Sequence, residues 1–235
     1  KSDTVIEVGP GLGILTSALA NAAGKVIAVE LDRGLVGLLG ETLADLPNVE
    51  IVSGDILKTP PETLVDETPY KVVANLPYYI TSPTLRHFLE ATHQPRSLTV
   101  MVQKEVARQI TAKPPETSLL SLSVQFYGQP KIASYVPAGC FYPPPKVDSA
   151  ILQISVLPER RLSIDGEKQF FALARAGFGT RRKQLANALS SGLDIDKAEI
   201  IALLHQADID PARRAETLTI DDWLQLVEAW RARHV

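Results

Sequence analysis

The tetrapeptide Asn75-Leu76-Pro77-Tyr78 carries the most specific chemistry in this sequence. It follows a short apolar run and suits one demanding reaction, the alkylation of an adenine exocyclic amine. That amine is a poor nucleophile because its lone pair is delocalised into the ring. It needs acceptors for its two protons, so that charge developing on nitrogen is stabilised in the transition state. The Asn75 side-chain oxygen can be one acceptor and the Leu76 carbonyl the other. Pro77 restricts Leu76 to an extended conformation, which aims that carbonyl. Tyr78 offers a flat face for a flipped-out base, a stack worth roughly 1–3 kcal/mol. With an already activated donor, positioning contributes much of the catalysis and no covalent nucleophile is required. Read as plain structure, the same residues are a loop, with Asn as a turn former and Pro-Tyr as packing.

A nucleoside site precedes it in the chain. Glu7-Val8-Gly9-Pro10-Gly11-Leu12-Gly13 lies between a strand pattern and a helix pattern, and Gly9, Gly11 and Gly13 let the backbone approach a ligand closely. It is not a phosphate-binding P-loop, because no Gly-Lys-Ser/Thr follows. Glu30 stands 21 residues after Gly9, at the end of the next strand pattern, where a carboxylate can bind both ribose hydroxyls. Leu31 comes next. Asp55, with Ile56 beside it, ends a third strand pattern, and its carboxylate can accept from an adenine amino group. Each feature has a bland alternative: a tight turn, a surface carboxylate, an Asx turn. At the ends of three successive strands they converge on one crevice, where open α/β sheets bind ligands.

The elements that must position these residues are an alternation of strands and helices. Strands are expected at 4–8, 26–30, 49–53, 71–75 and 98–102, with helices at 14–22, 32–44, 83–91 and 103–112. Ser82 is read as an N-cap and Pro83 as the first residue of its helix. This alternation implies a mostly parallel, Rossmann-like sheet covered on both faces. A helix at 119–127 and strands at 132–136 and 149–156 follow, the strands as an antiparallel addition at the sheet edge. From about residue 166 only helical patterns occur, at 167–177, 181–190, 196–206 and 221–232. The division expected is a Rossmann-like catalytic domain, 1–157, and a small all-α domain, 158–235.

Composition bounds the function. The 235 residues carry 45% apolar and 22% charged side chains and a net charge of −3, ordinary for a soluble globular chain. No apolar run reaches the roughly 18 residues of a membrane span, so no membrane partner is expected. The single cysteine, Cys140, fits a cytoplasmic protein, and the four scattered histidines speak against a metal site. Residues 1–157 hold 12 basic and 15 acidic side chains, residues 158–235 hold 12 of each, so the negative excess lies in the first part. Arg181, Arg182 and Lys183 form the densest basic cluster and fall where a helix is expected to begin. Cations there oppose the helix dipole, an opposition that a phosphate ligand would offset. The alternative is a solvated helix face. Arg160-Arg161, Arg213-Arg214, Arg231 and Arg233 are weaker phosphate-binding candidates.

These motifs together resemble the KsgA family of small-subunit ribosomal RNA adenine dimethyltransferases. The resemblance runs over nearly the whole length. It covers Glu7–Gly13, Glu30, Gly54-Asp55, Asn75–Tyr78, Gln103–Val106, the long segment Phe141–Ser149 and Phe178–Leu185. It implies an S-adenosylmethionine-dependent methyltransferase fold, with that cofactor and no metal. Gly9, Gly11, Gly13, Glu30, Leu31, Asp55, Ile56 and Asn75 would hold the cofactor. Phe141 would face Tyr78 across the target adenine. Two adjacent adenosines near the 3′ end of small-subunit RNA, within an assembling 30S-type subunit, would each be methylated twice. Arg181, Arg182 and Lys183 would contact RNA, and the protein would act as a monomer. The resemblance also implies an N-terminal segment closing over the cofactor, and the present sequence is expected to be missing it. The family's Tyr-Gly-x-Leu-Ser-Val is kept here only in its Leu-Ser-Val end, at 122–124. The similar large-subunit dimethylases tend to read Asn-Ile-Pro-Tyr and have no close match to Phe178–Leu185, so Leu76 and the Arg-Arg-Lys cluster favour the small subunit. Three other classes share parts of this pattern. An NAD-dependent oxidoreductase gives Asn75–Tyr78 no use, an RNA scaffold without chemistry gives the intact motifs none, and DNA adenine methylases often read Asp-Pro-Pro-Tyr.

Overall fold

In a computed structural model of the chain, which describes residues 2–66, 68–180 and 182–233, five apolar runs become the parallel centre of a sheet. They are β1 (Thr4–Val8), β2 (Lys25–Glu30), β3 (Val49–Ser53), β4 (Tyr70–Asn75) and β5 (Ser97–Gln103). Every residue of β1 is buried, as expected of a strand covered on both faces. The crossovers carry α1 (Ile14–Ala22), α2 (Arg33–Thr42) and α3 (Thr81–Leu89). After α4 (Lys104–Thr111) and α5 (Leu119–Tyr127) come β6 (Gly128–Val136) and β7 (Ser149–Val156). The seven strands are ordered β3-β2-β1-β4-β5-β7-β6. β7 pairs antiparallel with β5, and β6 antiparallel with β7, so the antiparallel strands form one edge of a mostly parallel sheet.

The strand order reverses between β1 and β4, so the two crossovers leaving them run to opposite sides and open a crevice at their carboxyl ends. The register is tight there. Val8 pairs with Val29 on one side and Ala74 on the other, and Glu30 pairs with Ser53. Gly9, Glu30 and Asn75, each one residue further, therefore leave the sheet at one level.

By its contacts the chain forms two units. One comprises residues 1–108 and 128–158 and holds the sheet. The other comprises 109–127 and 159–235 and is helical. A single cut at 157 assigns α5 to the sheet by chain order, whereas by contacts it groups with the later helices. Those are α6 (Ile164–Phe178), α7 (Leu185–Leu193), α8 (Lys197–Gln206) and α9 (Ile220–Arg233). Phe126 of α5 lies 4.3 Å, centroid to centroid, from Phe170 of α6. The buried Glu167 carboxylate accepts from Arg160 at 2.8 and 2.9 Å and from the Tyr127 hydroxyl at 3.2 Å. Pairing and full acceptance are what make a buried carboxylate tolerable.

Some helix boundaries differ from the sequence expectation. α3 starts at Thr81, because a single 3-10 turn, Tyr78–Ile80, feeds straight into it. Ser82 is therefore inside the helix and not its cap, and Pro83 is accommodated in the first turn, where amide donors have no intrahelical partner. α6 starts at Ile164, its first turn capped by the Ser163 hydroxyl, which accepts from the Gly166 amide at 3.3 Å. α7 starts at Leu185, four residues later than expected, because Arg182, Lys183 and Gln184 are exposed and the apolar periodicity begins only at Leu185. The basic residues Arg182 and Lys183 thus sit in the turn before α7, with the Lys183 amide donating to the Thr180 carbonyl at 3.0 Å. Arg181 lies outside the described residues.

Candidate active site

The glycine turn after β1 has positive φ at Gly9 (66°), Gly11 (59°) and Gly13 (81°). A side chain in this left-handed region is strained. At Gly13 an added Cβ would also meet a Leu39 methyl at 3.0 Å, whereas at Gly9 and Gly11 nothing among the described residues lies within 4 Å. Every second residue of the turn thus lacks a side chain, and among the described residues the space that Gly9 and Gly11 face is open. The Gly9 amide donates to the Val29 carbonyl at 3.0 Å, which ties the turn to β2.

Glu30 is 7% exposed. One of its oxygens accepts from the Gly11 amide at 3.2 Å and the other from the Asp32 amide at 2.9 Å. Each oxygen retains a further lone pair, so the carboxylate can hold the loop and accept ligand hydroxyls as well. Asp32 caps α2, its side chain accepting from Gly34 and Leu35 amides. Leu12, Ile14 and Leu31, all more than 60% exposed, place aliphatic surface around this turn and the end of β2.

After β3 the Gly54 amide donates to the Glu30 carbonyl at 2.9 Å. One Asp55 oxygen accepts from the Leu57 amide at 3.0 Å, the Asx-type turn that is the bland alternative for this residue. The other lies 3.7 Å from the Lys58 ammonium and keeps acceptor capacity. The Ile56 side chain is buried at 5% exposure, so any ligand contact by Ile56 falls to its main chain.

Glu7 sits one layer below the turn, 1% exposed, with one carboxylate oxygen unpartnered among the described residues. Burial pushes its carboxyl above the ordinary range, partly opposed by the nearby Thr16 hydroxyl.

At the end of β4, Asn75 is exposed, Leu76 is buried, Pro77 is exposed and Tyr78 is half-buried. The Pro77 carbonyl accepts from the Ile80 amide at 3.1 Å, closing the single turn that carries Tyr78. The Tyr78 and Ser149 hydroxyls share a hydrogen bond at 2.9 Å, which brings the start of β7 to the motif. Phe141, half-buried, follows a single turn, Ala138–Cys140. That turn is held by Asp148, which accepts from the Ala138 amide at 3.1 Å and from the Lys104 ammonium at 3.1 Å. The Lys104 hydrogen bond, then the Ala138 amide, hold the Asp148 carboxyl below its ordinary range. Sequence reasoning gives Ser149, Asp148 and Lys104 no role. All three lie in the segments 103–106 and 141–149, whose agreement with a family pattern is their only signal.

The model of the family described as ribosomal RNA adenine dimethylase matches residues 1–231. The chain belongs to this family. Dimethylation of adenosines in ribosomal RNA is the activity of its members, and the methyl donor that family and fold imply is S-adenosylmethionine. The ribosomal RNA small subunit methyltransferase A of Dehalococcoides mccartyi (strain CBDB1) is 58% identical over 96% of this chain and 78% of its own length. The protein of that name from Alkaliphilus metalliredigens is 44% identical over 98% and 83%. The crystal structure of the 23S rRNA methyltransferase ErmE superposes with a TM-score of 0.76 at 28% identity, over 97% of this chain and 91% of that one. A dimethyladenosine transferase from Plasmodium falciparum, at TM-score 0.85 and 24% identity over 100% and 92%, shares the fold.

For a ribosomal RNA dimethylase the free cations matter, and the helical unit separates them. Arg160 is held by Glu167, the Arg161 guanidinium donates to the Phe126 carbonyl at 3.0 Å, and Arg213 pairs with Asp222 at 3.0 Å. Arg214 lies 3.8 Å from Glu216, and Arg233 donates to the Gln206 side chain at 2.8 Å. Arg182 and Lys183 are exposed in the turn before α7.

Proposed function

We propose that this chain transfers methyl groups from S-adenosylmethionine to N6 of two adjacent adenosines in the 3′-terminal hairpin of small-subunit ribosomal RNA, giving N6,N6-dimethyladenosine. Its substrate is an assembling 30S-type subunit, and it works in the cytoplasm as a monomer. The observation that carries this reading is the common level at which Gly9, Glu30 and Asn75 leave the sheet, beside the crevice between β1 and β4.

The residues present fit the cofactor. The open space before Gly9 and Gly11 admits a ligand against the backbone. Glu30 would bind the ribose hydroxyls and Asp55 the adenine amine, with Leu31 against the base and Gly13 opening α1. S-adenosylmethionine, when bound, supplies a methyl group already activated on a sulfonium. Asn75 and the Leu76 carbonyl would accept the protons of the target amine, Pro77 would fix that carbonyl, and Tyr78 and Phe141 would sandwich the base. The helical unit would bind RNA through Arg181, Arg182 and Lys183.

The test is to incubate the chain with tritiated S-adenosylmethionine and immature small subunits and digest the RNA to nucleosides. Label in N6,N6-dimethyladenosine from the 3′-terminal hairpin is expected. Label confined to another nucleoside or to another region of the RNA overturns the assignment.

A further inference from the structure

The acceptance of a base by Tyr78 requires only an aromatic face, and phenylalanine would supply one. The phenol hydroxyl has a separate use here: it is hydrogen bonded to the Ser149 hydroxyl at 2.9 Å, across 71 residues of sequence. Ser149 opens β7, pairs with Gln103 of β5 and Val136 of β6, and is 0% exposed. It therefore sits on a fixed strand position, and a buried hydroxyl requires a partner. Tyr78 is different. It stands on a single 3-10 turn outside the sheet and is half-buried, so its ring can swing about its side-chain bonds unless its tip is tied.

The residue before Ser149 holds the other aromatic. Asp148 accepts from the Ala138 amide, at the head of the turn leading into Phe141, and its main-chain carbonyl accepts from the Lys104 amide at 3.0 Å. Two consecutive residues thus anchor Tyr78 and the segment carrying Phe141 to the carboxyl end of β5. The backbone of the Tyr78 turn has its own fastening, the Ile80 amide on the Pro77 carbonyl. Loss of the Ser149 hydroxyl would release the ring and leave the turn in place.

We infer that Ser149 is a positioning residue for methyl transfer: its hydroxyl fixes the plane of the Tyr78 ring, and with Asp148 it sets the separation of Tyr78 from Phe141. This rests on the reading of those two aromatics as the walls of the target-base site. The geometry is that of a stacking platform locked at its rim. A locked ring holds the amine before its acceptors, and misorientation lowers turnover more than it lowers binding.

The test compares Ser149→Ala, Tyr78→Phe and the double variant on immature small subunits, with cofactor affinity by calorimetry alongside. Each single variant is expected to lower kcat about 3- to 10-fold, the range of one lost hydrogen bond. KM for the subunit and the cofactor Kd stay at their parental values. The double variant is no slower than either single, because both remove one bond. Parental kcat in Ser149→Ala, or losses that multiply in the double variant, overturn the inference. Tyr78→Phe removes the bond without touching the core, so it carries the test alone should Ser149→Ala fail to fold. Tyr78→Ala separates the two levels. An inactive Tyr78→Ala beside a fully active Ser149→Ala rejects only the role of Ser149, whereas a fully active Tyr78→Ala rejects the base-wall reading and this inference with it.

Discussion

Glu30 and Gly11 are joined by a carboxylate–amide hydrogen bond of 3.2 Å, so the residue that would bind ribose also braces the turn that would approach the cofactor. Glu30→Ala removes both functions. Hydrogen bonds to a charged group are worth about 1.5–3 kcal/mol, which corresponds to a rise in cofactor Kd of about 10- to 100-fold. Isothermal calorimetry with S-adenosylhomocysteine measures it, and an unchanged Kd removes Glu30 from the ribose role.

Asn75→Ala is expected to act on the other step. It deletes one proposed acceptor for the amine protons at the end of β4 and touches neither Gly11 nor Glu30. Removal of a preorganised transition-state partner costs about 10²–10³-fold in kcat, a larger effect than the loss of its one contact to the cofactor has on Kd. Turnover at the parental rate would dismiss Asn75 as an acceptor.

Glu7 gives a pH signature. Its burial raises the folded-state pKa above the unfolded value, so the folded protein binds the proton more tightly. The associated stability is full below the unfolded value, about 4.3, and is lost as pH rises through the raised folded value. Above the unfolded value the parent must either bear the desolvation of the carboxylate or hold a proton against the solvent. Glu7→Gln cannot ionise, so its urea midpoint should gain on the parent between pH 4 and pH 7. A difference that stays constant with pH contradicts this.

Gly177 reports on packing of the helical unit. A Cβ there would stand 2.6 Å from the Cη2 atom of Trp223, which is fully buried. Overpacking of this kind costs about 1–3 kcal/mol, so Gly177→Ala should lower the urea midpoint. Gly37→Ala is the control, because nothing among the described residues lies within 4 Å of its Cβ and α2 should gain about 0.8–1 kcal/mol in propensity. Equal effects at the two glycines would show that close approach to Trp223 is not the cause.

The basic residues divide by a salt titration. Replacing Arg182 and Lys183 by alanine should weaken RNA binding and flatten the log–log salt slope by about 0.7 to 0.9 for each phosphate left without its cation. Arg160→Ala should instead lower the melting temperature, because it strands the buried Glu167 carboxylate. A salt slope unchanged in the Arg182/Lys183 variant counts against this turn as an RNA-binding element.

The sheet is legible in the sequence because its central strands are covered on both faces and so read as largely apolar runs, as at Val26–Val29 and, around Glu7, at Val5–Val8. Gly9, Glu30, Asp55 and Asn75 are legible for a related reason: each stands where such a run ends. What escapes are relationships set by tertiary pairing. The Ser149–Tyr78 bond spans 71 residues, and no local pattern marks a strand-opening serine as a partner for a distant phenol. The start of α3 differs from expectation because Ser82-Pro83 has the chemistry of a cap, while the turn after Pro77 has already begun the helix. The basic cluster reads as helical because charge gives no period, whereas the helix waits for Leu185. The helicity of α5 is readable, but periodicity does not say which core a helix joins.

The passage of residues 109–127 into the helical unit governs how the chain can be divided and when it can finish folding. A fragment stopping at Pro158 would keep Leu122, Val124 and Phe126 without the Phe170 ring that covers Phe126, and would expose that apolar face to aggregation. A fragment starting at Glu159 would lack α5 altogether. During synthesis α5 emerges well before α6 and α9, so its buried face must wait for them. The strands of the sheet can be complete while the helical unit still awaits its last helix, and the part of the molecule proposed to grip RNA is the last to close.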